Sequence, residues 1–268
     1  MASSATFYLL VVTARLTPFD AIHLMGWWPI QATDVVKCCA LTLLLFLGPV
    51  FEKLFVEGHL QDLRRGQKLI ETLKSWQGYR NYVAGPVTEE VIFRSVLVPV
   101  HLLAKVSPTK IVFLTPLYFG IAHVHHFYEF TLTHPHTPFL PALLRSVFQF
   151  GYTTLFGWIA DFIYLRTGSI YACIAIHTFC NWVGLPRFWG RVQSREEYPP
   201  SPVAMRGKDD TDAVQAQGTG GPSGLKWTVA YYVLLLAGVS SFYAGLWPLT
   251  ASSLALADFG GKTTHRQK

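Results

Sequence analysis

The sequence predicts an all-α fold, a multi-spanning membrane helical bundle with an intramembrane polar cavity. Three observations predict it. Only 14% of the 268 residues are charged while 51% are hydrophobic, against about 25% charge in a typical soluble domain. The mean hydropathy is +0.30. The apolar residues form continuous runs rather than alternating ones, which argues against a membrane barrel. In lipid the backbone must bond to itself, and the helix is what remains.

The elements follow in chain order. Residues 1–34 form an N-terminal segment, read as a shortened leading-helix region, because the apolar run at 6–12 is below the roughly 17–25 residues needed to cross a bilayer. Trp27, Trp28 and Pro29 suggest an interfacial turn. Residues 35–190 are the expected catalytic membrane core, with spans at 35–54, 81–105, 108–128, 142–165 and 168–185. The stretch 57–80 is polar and carries Arg64, Arg65, Lys68, Lys74 and Arg80. Residues 191–225 read as a polar, Gly/Pro-rich cytosolic loop, and residues 226–268 as a last span at 227–249 with a polar tail. The loops at 55–80 and 186–226 are rich in Lys and Arg, so the positive-inside rule puts them in the cytosol.

Composition also excludes classes. The net charge of +6 comes from basic residues clustered between apolar runs, as in juxtamembrane loops, and does not indicate nucleic acid. Cys38 and Cys39 are adjacent, Cys173 and Cys180 sit in a later apolar run, and no CxxC or Cys/His zinc spacing occurs. Apolar burial is the expected role of all four. Residues 1–12 are apolar, but no basic residue precedes them, so they do not read as a cleavable signal peptide.

The chemistry is expected around GPVTEEVIFRSVLVPVHLLA at 85–104. Ionisable groups in a membrane helix are costly, and function is the usual reason to keep them. Arg94 lies four residues after Glu90, on its face, and can hold it ionised. Glu89 points about 100° away, with no cation on its own turn, which suits a group that takes a proton from water. Phe119 is i,i+4 from His123 and is expected to pack on its ring, with His125 and His126 close behind. His177 and Asn181 are one turn apart on one face, and two donors aimed at one point can stabilise an oxyanion. The same residues could instead form a buried structural network in a non-catalytic scaffold. A zinc-dependent protease is a further reading, since Glu, His and His can ligate zinc. Against it, HExxH is absent, Asn181 is a poor zinc ligand and Arg94 competes with a cation. A transporter would rest on Gln149 and Asp161 alone. The residues favour a site with no metal and no cofactor.

EEVIFR at 89–94, FGIAHVHH at 119–126 and HTFCN at 177–181 resemble the three motifs of the type II CAAX prenyl endopeptidases. This is the Ras-converting enzyme group, within the wider CPBP intramembrane protease superfamily. FQFGYTTLFGWIADFIYLRTGSI at 148–170 is similar to the eukaryotic branch, and the resemblance covers roughly 35–190. It implies cleavage after the prenylated cysteine of farnesylated or geranylgeranylated CAAX proteins, releasing the last three residues. It further implies a metal-independent site in the endoplasmic reticulum membrane, among membrane lipids and facing the cytosol. By the same resemblance, Glu89 activates water with help from His123, His177 and Asn181 serve the oxyanion, and Glu90 and Arg94 support them.

Overall fold

A computed structural model describes residues 1–192 and 224–259, and all regular structure among them is helical. The 191–225 loop expected from sequence, including its glycine-rich part at 207–224, falls largely outside the described residues, as does the tail beyond residue 259. The chain opens with α1 (Ala2–Tyr8), which runs into a π-helical stretch at Leu9–Thr13, and α2 (Pro18–Leu24). The start of α2 is set by chemistry: the Thr17 hydroxyl accepts from the Asp20 amide at 3.1 Å, and Pro18 takes the first helical position, where no N–H is needed.

Next come α3 (Ala32–Leu45) and α4 (Leu47–Phe51), the latter continued by a π-helical stretch at Glu52–Val56. They fall in the expected 35–54 span, but the axis bends by 82° between them. Proline explains the break. Pro49 has no N–H for the Leu45 carbonyl, and its ring crowds that carbonyl. The basic stretch carries α5 (His59–Arg65), α6 (Gln67–Lys74) and α7 (Trp76–Tyr79). A π-helical stretch at Arg80–Ala84, α8 (Gly85–Glu90), a second at Val91–Val96 and α9 (Leu97–Leu103) follow. Then come α10 (Pro108–Ala122), α11 (His125–Thr133), α12 (Phe139–Thr167), α13 (Ile170–Val183) and α14 (Leu225–Leu249).

By length and composition α14, at 25 residues, is the one described helix that can cross a membrane, or one of two if the bent α3–α4 pair counts as a broken span. At 1.5 Å per residue α14 reaches about 37 Å, enough for a hydrocarbon core of about 30 Å. Its Val229, Val233, Leu236, Val239, Tyr243 and Trp247 are exposed. None of the four cysteines is in a disulfide, and Cys38 and Cys173 are buried.

The chain divides into two compact units. One comprises Met1–Val35, Glu89–Cys173 and Thr250–Lys268, the other Val36–Thr88 and Ile174–Leu249. In the first, Leu10, Ala21 and Met25 form a small core flanked by Phe7, Leu24, Trp27 and Leu103. Segments distant in sequence are joined by hydrogen bonds. Ser95 donates to the Met25 carbonyl at 2.6 Å, Tyr164 to the Leu24 carbonyl at 3.0 Å, and the His23 ring meets the Leu254 carbonyl at 3.1 Å. The Leu256 amide donates to the Leu165 carbonyl at 2.8 Å.

Helices α10 and α12 approach closely because Gly157 lacks a side chain. A Cβ there would stand 2.6 Å from the Pro116 Cβ. Gly157→Val is therefore expected to destabilise the protein by about 1–3 kcal/mol through overpacking. Thermal unfolding of purified protein in detergent checks this, and an unchanged midpoint would count against a tight α10–α12 contact.

The second unit is held differently. Arg187 pairs with Glu52 at 3.0 Å. The Tyr231 hydroxyl accepts from the Arg187 amide at 2.6 Å. The backbone of α3 comes close to α14 at Gly238, where a Cβ would meet the Leu44 carbonyl oxygen at 2.4 Å.

Candidate active site

Glu89 and Glu90 end α8, and the chain then enters the π-helical stretch that carries Arg94. Such wider turns recur at functional sites. Arg94 Nη1 donates to Glu90 Oε1 at 3.0 Å, as the i,i+4 spacing requires. Arg94 Nε donates to Asp161 Oδ1 at 3.1 Å, from α12. The Thr115 hydroxyl donates to the other oxygen of Asp161. Glu90, Arg94 and Asp161 are all buried. One guanidinium thus serves two carboxylates out of reach of water, and removing it would leave both without a counter-charge. Its face is also packed: Arg94 Cζ lies 5.0 Å from the Phe119 ring centroid and 5.6 Å from that of Phe156.

Phe119 carries this order on to the imidazole. Its ring meets His123 edge to face, with centroids 4.7 Å apart, and meets Phe93 at 4.9 Å. His123 follows the last residue of α10, where the helix has ended and its carbonyls seek donors. His123 Nδ1 lies 2.7 Å from the Phe119 carbonyl oxygen. A carbonyl can only accept, so Nδ1 carries the proton and the neutral ring offers its Nε2 lone pair. The half-buried Glu89 is near enough for its charge to act on His123. One unit therefore brings together Glu89, Glu90, Arg94, Phe119 and His123.

His177 and Asn181 belong to the second unit. His177 is buried. Asn181 Nδ2 donates to the Asn81 carbonyl at 2.9 Å, and beside it Thr178 donates to the Tyr82 carbonyl at 3.0 Å. An amide nitrogen has two hydrogens, so one such bond leaves Asn181 a second donor. Two surface depressions are lined by Leu16, Asp20, His23, Leu24, Ala255 and Leu256, and by Phe51, Lys226, Trp227 and Ala230. Neither includes Glu89 or His123.

Sequence reasoning names Asp161 only beside Gln149, as the basis of a transporter reading, and gives it no partner. Its partner Arg94 is 67 positions away, beyond any local spacing rule. The available signal is its presence as the one acid in the long apolar run of α12.

Residues 71–183 match the family described as Type II CAAX prenyl endopeptidase Rce1-like. The chain is similar to the Probable CAAX prenyl protease 2 of Schizosaccharomyces pombe, with 33% identity over 224 residues, 81% of this chain and 68% of that protein. It is similar to the CAAX prenyl protease 2 of Arabidopsis thaliana, with 32% identity over 69% of this chain and 67% of the relative. With the Homo sapiens CAAX prenyl protease 2 it shares 34% identity over 59% of this chain and 49% of the human protein. No solved structure gives a significant match. The chain belongs to the type II CAAX prenyl endopeptidase family.

Proposed function

We propose that the chain is an intramembrane endopeptidase that removes the last three residues of prenylated CAAX proteins by attack of an activated water. Family membership supports the reaction class. The observation that carries the mechanism is a His123 ring whose Nδ1 is held by the Phe119 carbonyl and which lies within reach of the Glu89 charge. A water between the Glu89 carboxylate and His123 Nε2 gives its proton to Glu89 as its oxygen attacks the scissile carbonyl carbon. The C–O bond forms and the carbonyl oxygen becomes an oxyanion. Collapse breaks the C–N bond, and the proton taken up by Glu89 passes to the departing amine. Glu90 and Arg94, with Asp161, hold the frame and do no bond chemistry.

His177 and Asn181 are assigned to the oxyanion, on the resemblance of HTFCN to the family motif and on the spare amide hydrogen of Asn181. Replacing either with alanine is expected to lower kcat by roughly 10²–10³-fold, as for a lost oxyanion donor. Steady-state kinetics on folded variants check this, and unchanged turnover would remove the residue from the site.

The membrane reading is part of the proposal: a multi-spanning helical bundle of the endoplasmic reticulum, with a polar cavity open to the cytosol. The apolar surface of α14 and the exposed Leu140, Leu144, Val147 and Leu155 on α12 support it. The substrates are farnesylated or geranylgeranylated chains. Each buried methylene contributes about 0.8 kcal/mol, so the prenyl group dominates capture. Purified chain should cleave a farnesylated CAAX peptide in the presence of a strong chelator, with a product mass short by the last three residues. Absence of cleavage by folded protein would leave the buried ion network as scaffold alone.

A further inference from the structure

We propose that His125, His126 and Glu129 form a binding site for a divalent transition-metal ion of the zinc class, separate from the candidate catalytic pair. One ligand atom from each of the three lies within 4.8 Å of the others. The reason is helical. All three stand on α11, where Glu129 is i,i+4 from His125 and i,i+3 from His126, so one turn carries the carboxylate back over both rings. The rings themselves are adjacent, with centroids 3.9 Å apart.

The chemistry fits a borderline cation. Two imidazole nitrogens and a carboxylate oxygen are zinc ligands at about 2.0–2.2 Å, and three protein ligands leave a fourth position for water. His125 Nδ1 lies 2.6 Å from the Ala122 carbonyl. That contact puts the proton on Nδ1 and leaves Nε2 to bind, the outer support that metal-ligating histidines usually have. His126 Nδ1 and Glu129 Oε2 stand 3.2 Å apart, bridged by a proton that an incoming dication replaces. His125 and Glu129 are exposed, so an ion can enter, and binding at ligand distance requires the three atoms to draw in from their present spread of up to 4.8 Å. The ion would tie the first turn of α11 together. Its nearest relation to the candidate site is the ring of His126, 5.7 Å from that of His123.

The test is zinc binding by the purified full chain in detergent, stripped with a chelator, then titrated with Zn²⁺ against a metal-sensitive dye. One zinc per chain is expected. His125→Ala and Glu129→Gln should each weaken it by at least about tenfold, while Glu89→Gln and His123→Ala retain it. X-ray absorption of the loaded chain should show two imidazoles and carboxylate or water oxygens. Helical circular dichroism confirms folding of each variant. Zinc lost in Glu89→Gln and His123→Ala but retained in His125→Ala and Glu129→Gln would place the ion at the catalytic pair and overturn the proposal. Weak binding that is equal in all variants would overturn it as well. Neither result depends on peptide cleavage, so the site stands or falls apart from the proposed activity.

Discussion

Replacing Glu89 with alanine is expected to abolish cleavage of a farnesylated CAAX peptide while leaving the protein folded. Glu89 is half-buried, whereas Glu90, Arg94 and Asp161 are buried. The loss of Glu89 removes the proton acceptor for water. General-base assistance is worth about 10²–10⁴-fold, and no second carboxylate takes over, since Glu90 is committed to Arg94. His123→Ala should give a loss of the same order, because the imidazole orients the same water. Glu89→Gln separates charge from shape: it keeps the volume and the hydrogen-bonding reach but cannot take the proton, so it should be as inactive as alanine. Single-turnover rates on monodisperse protein are the measurement. A Glu89→Ala variant cleaving at the parental rate would rule out water activation by this carboxylate.

The second large effect is on stability. Arg94→Met is expected to cost about 3–5 kcal/mol, the range for removing one partner from a buried ion pair. Methionine keeps much of the volume against Phe119 and Phe156 but strands the carboxylates of Glu90 and Asp161 in an apolar interior. Asp161→Asn should cost less, because Arg94 keeps Glu90 and the amide oxygen still accepts from Nε. Denaturant or thermal unfolding in detergent ranks the two, and Arg94→Met as stable as the parent would show that the three groups do not act as one network. Arg94→Met should also lower turnover, because Phe119 transmits its position to His123.

Parts of this were legible in the sequence because they follow local spacing. Glu90 to Arg94 and Phe119 to His123 are both one helical turn, and both pairs meet as the turn dictates. The helical class followed from continuous apolar runs, and the α12, α13 and α14 stretches sit close to where those runs lie. What spacing could not give was the interruption of the helices. The run at 108–128 reads as one apolar block but ends at Ala122 and restarts at His125. The run at 35–54 bends where Pro49 removes a donor. The π-helical stretches have no sequence rule behind them. Asp161 is the same case: its place beside Arg94 is a tertiary fact.

The hydrogen bond between His23 and Leu254 joins residues 231 positions apart. At synthesis rates of about 5–20 residues per second, roughly 10–50 s separate the emergence of its two ends from the ribosome. The unit that carries Glu89 and His123 is therefore assembled from pieces delivered early, midway and last. Until the final piece arrives, the first two wait with part of their backbone unmatched. A pause late in translation, or a premature stop shortly before Thr250, would leave that unit incomplete although both chemical groups had long been made.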